Sequence, residues 1–261
     1  MSRHQRLNEI LAMLSTEGRL DVEQAAEALG VSTATVRRDF DHLAQQQLIT
    51  RTHGGAVSTS SSYDLPLQYK IARQAKEKQR IAAMAAAMVR PGDTVALNGG
   101  TTTNEVARAI ASRADLAQGG TPAVTVVTNA LNIATELAVR PHVKIVVIGG
   151  TVRPQSYEVF GPLAMPLIGQ LNVDIAFLGV DAVSARHGAS AHHEGEASTN
   201  RALAAQASKV VVVADATKVG QRAFARICGA DEVDTLVTDA APQEQELRGF
   251  EEAGVEVAVA G

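Results

Sequence analysis

The chain is poor in aromatic residues, which fill 3% of its 261 positions, and it has no tryptophan. Apolar burial must therefore come mainly from Val, Leu, Ile and Ala. A single cysteine, Cys228, excludes an internal disulfide and any cysteine-based zinc cage. It fits a reducing compartment and reads as a space-filling residue. Long apolar runs are also lacking. The longest, residues 81–89, has nine positions, mostly Ala and Met. That is well short of the roughly 18 to 20 needed to cross a bilayer. Met1-Ser2-Arg3-His4-Gln5-Arg6 leads into an amphipathic pattern, unlike a signal peptide. The expectation is a soluble, cytoplasmic protein without membrane contact.

An excess of positive charge is missing as well. The net charge is −4. Residues 1–58 carry −1, residues 59–83 carry +3, and the remainder carries −6. The long C-terminal part would repel a polyanion. Any nucleic-acid contact must rest on a local positive patch near the N-terminus.

With 46% hydrophobic and 20% charged positions, the composition is that of an ordinary globular protein of one large or two modest domains. In the first 58 residues, Leu7, Ile10, Leu11 and Leu14 form one helical stripe, ended by Gly18. Asp21 can cap a second helix with the stripe Val22, Ala25, Ala26 and Leu29. Gly30-Val31 supplies a turn. Ser32 then caps a third helix with Val36, Phe40 and Leu43 facing inward. Leu48 to Thr52 alternates as a strand, His53-Gly54-Gly55 turns, and Ala56-Val57 returns. Three helices and a hairpin make a winged helix-turn-helix plan for residues 1–58.

Such a unit reads DNA by laying its second helix-turn-helix helix in the major groove. Ser32, Thr33 and Thr35 are small hydroxyl residues suited to phosphate contacts. With Val36 inward, Arg38 points away from the core and Arg37 lies to the side. Either can bond guanine in bidentate fashion. Asp39 is placed to hold an arginine. Arg51 and His53, on the wing, would reach the backbone or minor groove. The plainer reading is a surface helix with two solvated arginines; the surrounding layout favours DNA.

Residues 58–62, Ser-Thr-Ser-Ser-Ser, read as a linker. Residues 59–90 are expected to join two domains through a helical segment from about Gln68 to Val89. Its basic half, Lys70 to Arg80, could add phosphate contacts, although a solvated face is the plainer reading. Residues 91–261 alternate strand and helix. Candidate strands are Thr94–Asn98, Val124–Thr128, Val143–Ile148, Ile175–Gly179, Val210–Ala214, Thr235–Thr238 and Val255–Val259. Short, β-branched runs between helices predict an open, mostly parallel α/β sheet covered on both faces.

Ligands of such sheets bind beyond the carboxyl ends of the strands. Asn98-Gly99-Gly100-Thr101-Thr102-Thr103 lies at such an end and opens a helix, where free amides and hydroxyls can bind an anion. Thr128-Asn129 and Gly149-Gly150 follow the next two strands, suggesting one crevice. Ordinary βα turns remain the alternative for each. Lys218 could neutralise a phosphate. Asp174 and Asp181 could bond sugar hydroxyls or cap loops. His192-His193-Glu194 lacks metal-ligand spacing and reads as a polar loop. No metal or cofactor is expected.

Several runs together carry a resemblance. Arg6-Leu7-Asn8-Glu9-Ile10, Gly30-Val31-Ser32, Thr35-Val36-Arg37-Arg38-Asp39-Phe40 and Arg51-Thr52-His53-Gly54-Gly55-Ala56 resemble the DNA-binding signature of DeoR-type bacterial transcription regulators. Glu77-Lys78, Gly100-Thr101-Thr102-Thr103, Val127-Thr128-Asn129, Gly149-Gly150, Phe177-Leu178-Gly179 and Asp215 to Lys218 resemble that family's sensor domain. The resemblance implies a sensor similar to ribose-5-phosphate isomerase and glucosamine-6-phosphate deaminase that binds phosphorylated sugars. Gly100, Thr101, Thr102 and Lys218 would hold phosphate; Asn98, Asn129, Asp174 and Asp181 would face the sugar. Two departures stand out. Asn98-Gly99-Gly100 replaces the Asp-Ser-Gly that many members carry. Ala182 stands where the isomerases have a second acid, which weakens an enzymatic reading. The expectation is a DNA-binding regulator, a repressor of a carbohydrate operon, acting as a homodimer or homotetramer on double-stranded operator DNA under a phosphorylated sugar. The rival is a sugar-phosphate isomerase or deaminase with an N-terminal assembly module.

Overall fold

A computed structural model describes residues 1–46, 48–58, 66–71, 73–118 and 122–261. The expected linker therefore lies outside the described residues, except for Ser58. The chain forms two compact units, Met1–Arg73 and Gln74–Gly261.

The first unit runs α1 (Arg3–Glu17), β1 (Arg19–Asp21), α2 (Val22–Leu29), α3 (Thr33–Gln45), β2 (Ile49–Arg51), β3 (Gly55–Ser58) and α4 (Leu67–Lys70). The stripes expected from sequence are the core: Leu7, Ile10, Leu11, Leu14, Val22, Ala25, Val36, Phe40 and Leu43 are all buried together. The caps follow the same reading. Gly18 and Gly30 end α1 and α2 in the left-handed region, and Asp21 and Ser32 cap α2 and α3 through their side-chain oxygens. Tyr69, from α4, completes this core.

The sheet is larger than the expected hairpin. β1 joins it, giving the order β1-β3-β2, all antiparallel. Central β3 begins at Gly55, and a Cβ there would sit 2.2 Å from the Leu20 carbonyl oxygen. Only glycine allows β1 and β3 to pair at this point.

The second unit opens with α5 (Ala75–Ala87), then β4 (Thr94–Leu97), α6 (Thr101–Ala111), α7 (Ala114–Gln118), β5 (Val124–Thr128), α8 (Leu131–Leu137) and β6 (Val143–Val147). A hairpin follows, β7 (Thr151–Arg153) and β8 (Glu158–Phe160), then α9 (Met165–Ile168) and β9 (Val173–Gly179). The rest is β10 (Ala182–Ser184), β11 (Gly188–Ala191), α10 (Glu194–Ala205), β12 (Ala207–Val213), β13 (Ala225–Cys228), β14 (Thr235–Thr238), α11 (Glu244–Glu252) and β15 (Glu256–Val259). The seven strands anticipated from sequence form one parallel sheet, ordered β15-β14-β12-β9-β4-β5-β6.

Both faces are covered, which is why these strands read as continuous apolar runs. Successive side chains point to opposite faces. In β12, Val211 and Val213 enter one core cluster and Val210 and Val212 the other; in β4, Val95 and Leu97 oppose Ala96. Cys228 is buried in the second cluster, and burial pushes its thiol up to about 11. The basic segment is not uniformly solvated: Lys78 is buried, and Arg80 approaches Asp239 at 3.9 Å. No described helix is long and apolar enough to cross a membrane.

The close approach at Gly55 generates a test. Gly55→Ala should cost about 1–3 kcal/mol, the usual range for overpacking, because β1 must part from β3. Gly54→Ala, whose Cβ would have no neighbour nearer than 3.4 Å, should stay within about 0.5 kcal/mol. Urea unfolding followed by circular dichroism separates the two; equal midpoints would remove the steric account.

Candidate DNA-reading helix and candidate anion-binding loops

In the first unit, Val36, Phe40 and Leu43 fix the inner face of α3. That leaves Thr33, Arg37 and Arg38 exposed. Ser32 and Thr35 serve the helix start: Ser32 Oγ accepts the Thr35 N–H at 3.2 Å and lies 2.9 Å from Thr35 Oγ1. Arg38 Nε donates to the Ala34 carbonyl at 3.3 Å, steadying the stem of the side chain. Asp39 does hold an arginine, but not one of its neighbours. Its buried carboxylate takes Arg6 through two hydrogen bonds, the longer at 3.1 Å, with Arg3 at 3.7 Å. This pair fastens α3 to α1 and leaves Arg37 and Arg38 at the surface.

The wing residues differ from each other. His53 is exposed in the turn. Arg51 is engaged, against the expectation that it reaches outward: Nε meets Asp41 at 3.2 Å, Nη1 donates to the Gly55 carbonyl at 3.4 Å, and its carbon lies 5.4 Å from the Phe40 ring centre. A carboxylate of α3, one helical turn before its C-terminal end, captures it.

In the second unit, the C-terminal ends of β4, β5 and β9 converge. Asn98 is buried, and both polar atoms of its amide face Gly179. Nδ2 donates to the Gly179 carbonyl and Oδ1 accepts the Gly179 N–H, each at 2.8 Å. Asn98 is therefore turned to the backbone of β9, which corrects the expectation that it faces a sugar. Gly100 precedes α6 at φ 130°, with Thr101 and Thr102 in the first turn. Thr102 is buried, and its Oγ1 has no hydrogen-bond partner among the described residues. Thr128 Oγ1 accepts the Ala130 N–H at 3.0 Å and so shapes its own loop. Asn129 is fully buried; Nδ2 donates to the Val159 carbonyl at 3.0 Å, while Oδ1 has no partner among the described residues.

Asp174 does not belong to this edge. It sits near the start of β9, at the opposite end of the strand, and its carboxylate accepts the Thr94 N–H at 2.7 Å. An acid flanking a strand does not reveal which end it flanks. Asp181 and Lys218 lie on the correct side but are occupied. Asp181 Oδ2 accepts the His192 N–H, and Lys218 Nζ donates to the Val180 carbonyl, both at 2.8 Å. His193 caps α10, its Nδ1 accepting from Gly195 at 3.2 Å and Glu196 at 3.4 Å.

The residue that sequence reasoning missed is Glu158. Its side chain fills the turn after β4. Oε1 accepts the Gly99 N–H at 2.9 Å and lies 3.4 Å from Asn129 Nδ2. The contact is so close that a Cβ on Gly99 would fall 2.1 Å from Glu158 Cγ. Gly149-Gly150, expected as a third ligand loop, instead leads into the hairpin that delivers Glu158. A carboxylate inside the apolar run Tyr157 to Phe160 was the available signal. Burial first, and the neighbouring Glu196 second, push the Glu158 carboxyl up from its ordinary 4.5 to about 8. Glu196 itself meets Arg153 at 3.2 Å.

An unfolded glutamate releases its proton near 4.5, whereas the folded chain keeps that of Glu158 to about 8. Folding therefore binds a proton across this window, and the Glu158 contribution to stability is present below it and lost as pH rises through it. Glu158→Gln keeps a neutral head. Its melting temperature relative to the unaltered chain should climb between pH 5 and 8, by about 2 °C or more for a unit of this size. A pH-independent difference would show that Glu158 is ionised throughout.

Comparison with known proteins agrees in both units. Residues 6–62 match the DeoR-like helix-turn-helix domain and residues 73–240 the DeoR C terminal sensor domain. The chain is 32% identical over 260 residues to a putative aga operon transcriptional repressor of Escherichia coli O157:H7, covering 98% of this chain and 94% of the relative. It is 33% identical over 242 residues to the glycerol-3-phosphate regulon repressor of Escherichia coli K12, covering 93% of each. Among solved structures, ribose 5-phosphate isomerase A of Methanocaldococcus jannaschii aligns at 19% identity and a TM-score of 0.42, over 56% of this chain and 55% of that one. A DNA-binding signature in the first unit and a sensor signature in the second, in order and over nearly the whole length, place this chain in the DeoR family of transcription regulators.

Proposed function

We propose that the protein is a repressor that binds operator DNA in the cytoplasm through α3 and is released by a phosphorylated sugar held at the loops after β4 and β5. The observation that carries the DNA half is the exposure of Arg37 and Arg38 on a helix whose opposite face is locked by Val36, Phe40 and the Asp39–Arg6 pair. A rigid helix presenting arginines can reach guanine edges in the major groove. Ser32, Thr33, Thr35 and His53 would add backbone contacts, and a homodimer or homotetramer would match paired half-sites.

The sensing half draws on the loop after β4. Gly100, Thr101 and Thr102 open α6, which has no side-chain cap, and the positive end of a helix favours a phosphate. Asn129 Oδ1, buried without a partner, suits a sugar hydroxyl. The relatives are named for repression of a glycerol-3-phosphate regulon and of the aga operon, which supports a phosphorylated carbohydrate as effector and a regulator in place of an enzyme. A ligand that binds one conformation better lowers or raises DNA affinity by that differential alone.

Genomic fragments selected on the purified chain provide the test. Arg38→Ala should weaken binding to the enriched fragment by about 10–100-fold, the discrimination expected of one bidentate base contact, and affect random DNA far less. A panel of phosphorylated sugars at fixed salt should release the enriched fragment. Equal affinity of the unaltered chain for every fragment would refute the reading.

A further inference from the structure

Glu158 is fully enclosed, carries a carboxyl, and reaches the backbone amide that a bound anion would need. We propose that Glu158 is a built-in occupant of the anion-binding turn after β4, which a ligand phosphate must displace by withdrawing the β8 side chain from Gly99. The inference rests on the anion-binding reading of these loops and adds to it the group that keeps them closed.

Three observations support it. Gly99 N–H, two residues beyond the end of β4, is spent on Glu158 Oε1. Glu158 packs against Gly99 with no space for a methyl group between them, so phosphate and carboxyl cannot share the turn. Beside that contact lies a polar atom that the carboxyl does not satisfy. Asn129, whose Nδ2 lies 3.4 Å from Glu158 Oε1, keeps Oδ1 without a partner among the described residues, and Thr102 Oγ1, in the first turn of α6, is likewise buried without one. Buried polar atoms are normally bonded, and the Asn129 oxygen, which can only accept, calls for a donor such as a hydroxyl of the sugar that carries the phosphate. Glu158 therefore fills the turn but not its hydrogen-bonding capacity.

The occupant is also weakly held. The neighbouring Glu196 and burial favour the neutral acid, a poorer acceptor for the Gly99 amide than a phosphate dianion. Displacing Glu158 is felt elsewhere because β8 is bonded to the loop after β5. Val159 N–H donates to the Asn129 carbonyl at 2.7 Å, Leu131 N–H donates to the Tyr157 carbonyl at 3.0 Å, and Ala130 bridges Glu158. Tyr157 holds a left-handed φ of 58°, a conformation that costs a tyrosine energy and that movement of the hairpin could relieve. Phosphate entry thus moves a hairpin as well as filling a turn.

Calorimetric titration of the full chain with inorganic phosphate tests the proposal. Where an occupied state competes with binding, apparent affinity falls by the competent fraction, so Glu158→Ala should bind phosphate about tenfold or more tighter than the unaltered chain. Glu158→Ser, whose short side chain cannot reach the Gly99 amide, should reproduce the gain even if Glu158→Ala folds poorly. In the unaltered chain, phosphate should speed hydrogen exchange at Val159. If the unaltered chain binds phosphate and neither variant binds it tighter, Glu158 is not an occupant, while the anion-binding reading stands. If neither the chain nor the variants bind phosphate, both are overturned.

Discussion

The C-terminal edge of the sheet in the second unit depends on one side-chain amide. Asn98 bonds the N–H and the carbonyl of Gly179 together, which carries the β4–β9 pairing past the last residues of the ladder. Only a group with a donor and an acceptor at fixed spacing can do this. An aspartate could accept the Gly179 N–H, but ionised it would press a carboxylate against the Gly179 carbonyl. The departure from the acid that many family members carry is thus a change in how two strand ends are joined. It holds Gly99 and Gly179 side by side; a Cβ on Gly179 would lie 3.4 Å from the Gly99 carbonyl oxygen and 3.2 Å from Thr103 Cγ2.

With the strand ends clamped, the hydrogen-bond accounting of the edge follows. Most of its polar groups are satisfied within the chain: Thr128 by its own loop, Asp181 by His192, Lys218 by Val180, and Gly99 by Glu158. A parallel sheet delivers several loops to one place whether or not a ligand is there. What separates a site from a set of turns is which bonds are cheap to exchange. On the proposed reading, the lysine on a carbonyl and the acid on one amide are the bonds a phosphate would exchange, while the paired hydrogen bonds of Asn98 to Gly179 gain nothing from exchange.

The sheet was legible because its strands are buried on both faces and therefore appear as uninterrupted β-branched runs, with Val124–Thr128 and Thr235–Thr238 found to the residue. The helices of the first unit were legible because stripe and cap agree, as in Asp21 and Ser32. Antiparallel strands of three or four residues carried no such signal. β1, the β7–β8 hairpin and the β10-β11-β13 sheet are too short for a period to show, and Pro154-Gln155-Ser156-Tyr157 is not a two-residue hairpin turn. Glu158 was hidden for that reason, since its importance comes from a strand that could not be seen. Asp174 was misplaced because β9 begins at Val173, two residues before its apolar run suggests. Side-chain partners across elements, such as Arg51 with Asp41, are beyond any local pattern.

Partner choice also resolves the charge problem posed by the first unit. Residues 1–58 carry a net −1, which taken whole would not attract DNA. The acids nearest the reading helix are, however, already paired. Asp39 is buried against Arg6, and Asp41 faces Arg51. Beyond about a Debye length of roughly 8–10 Å, a tight ion pair presents little field, so the potential over α3 is set by the charges left exposed. Those on its outer face are Arg37 and Arg38. Asp39 thereby neutralises itself and Arg6 while anchoring the helix, and the positive charge that α3 itself carries at the surface is that of Arg37 and Arg38.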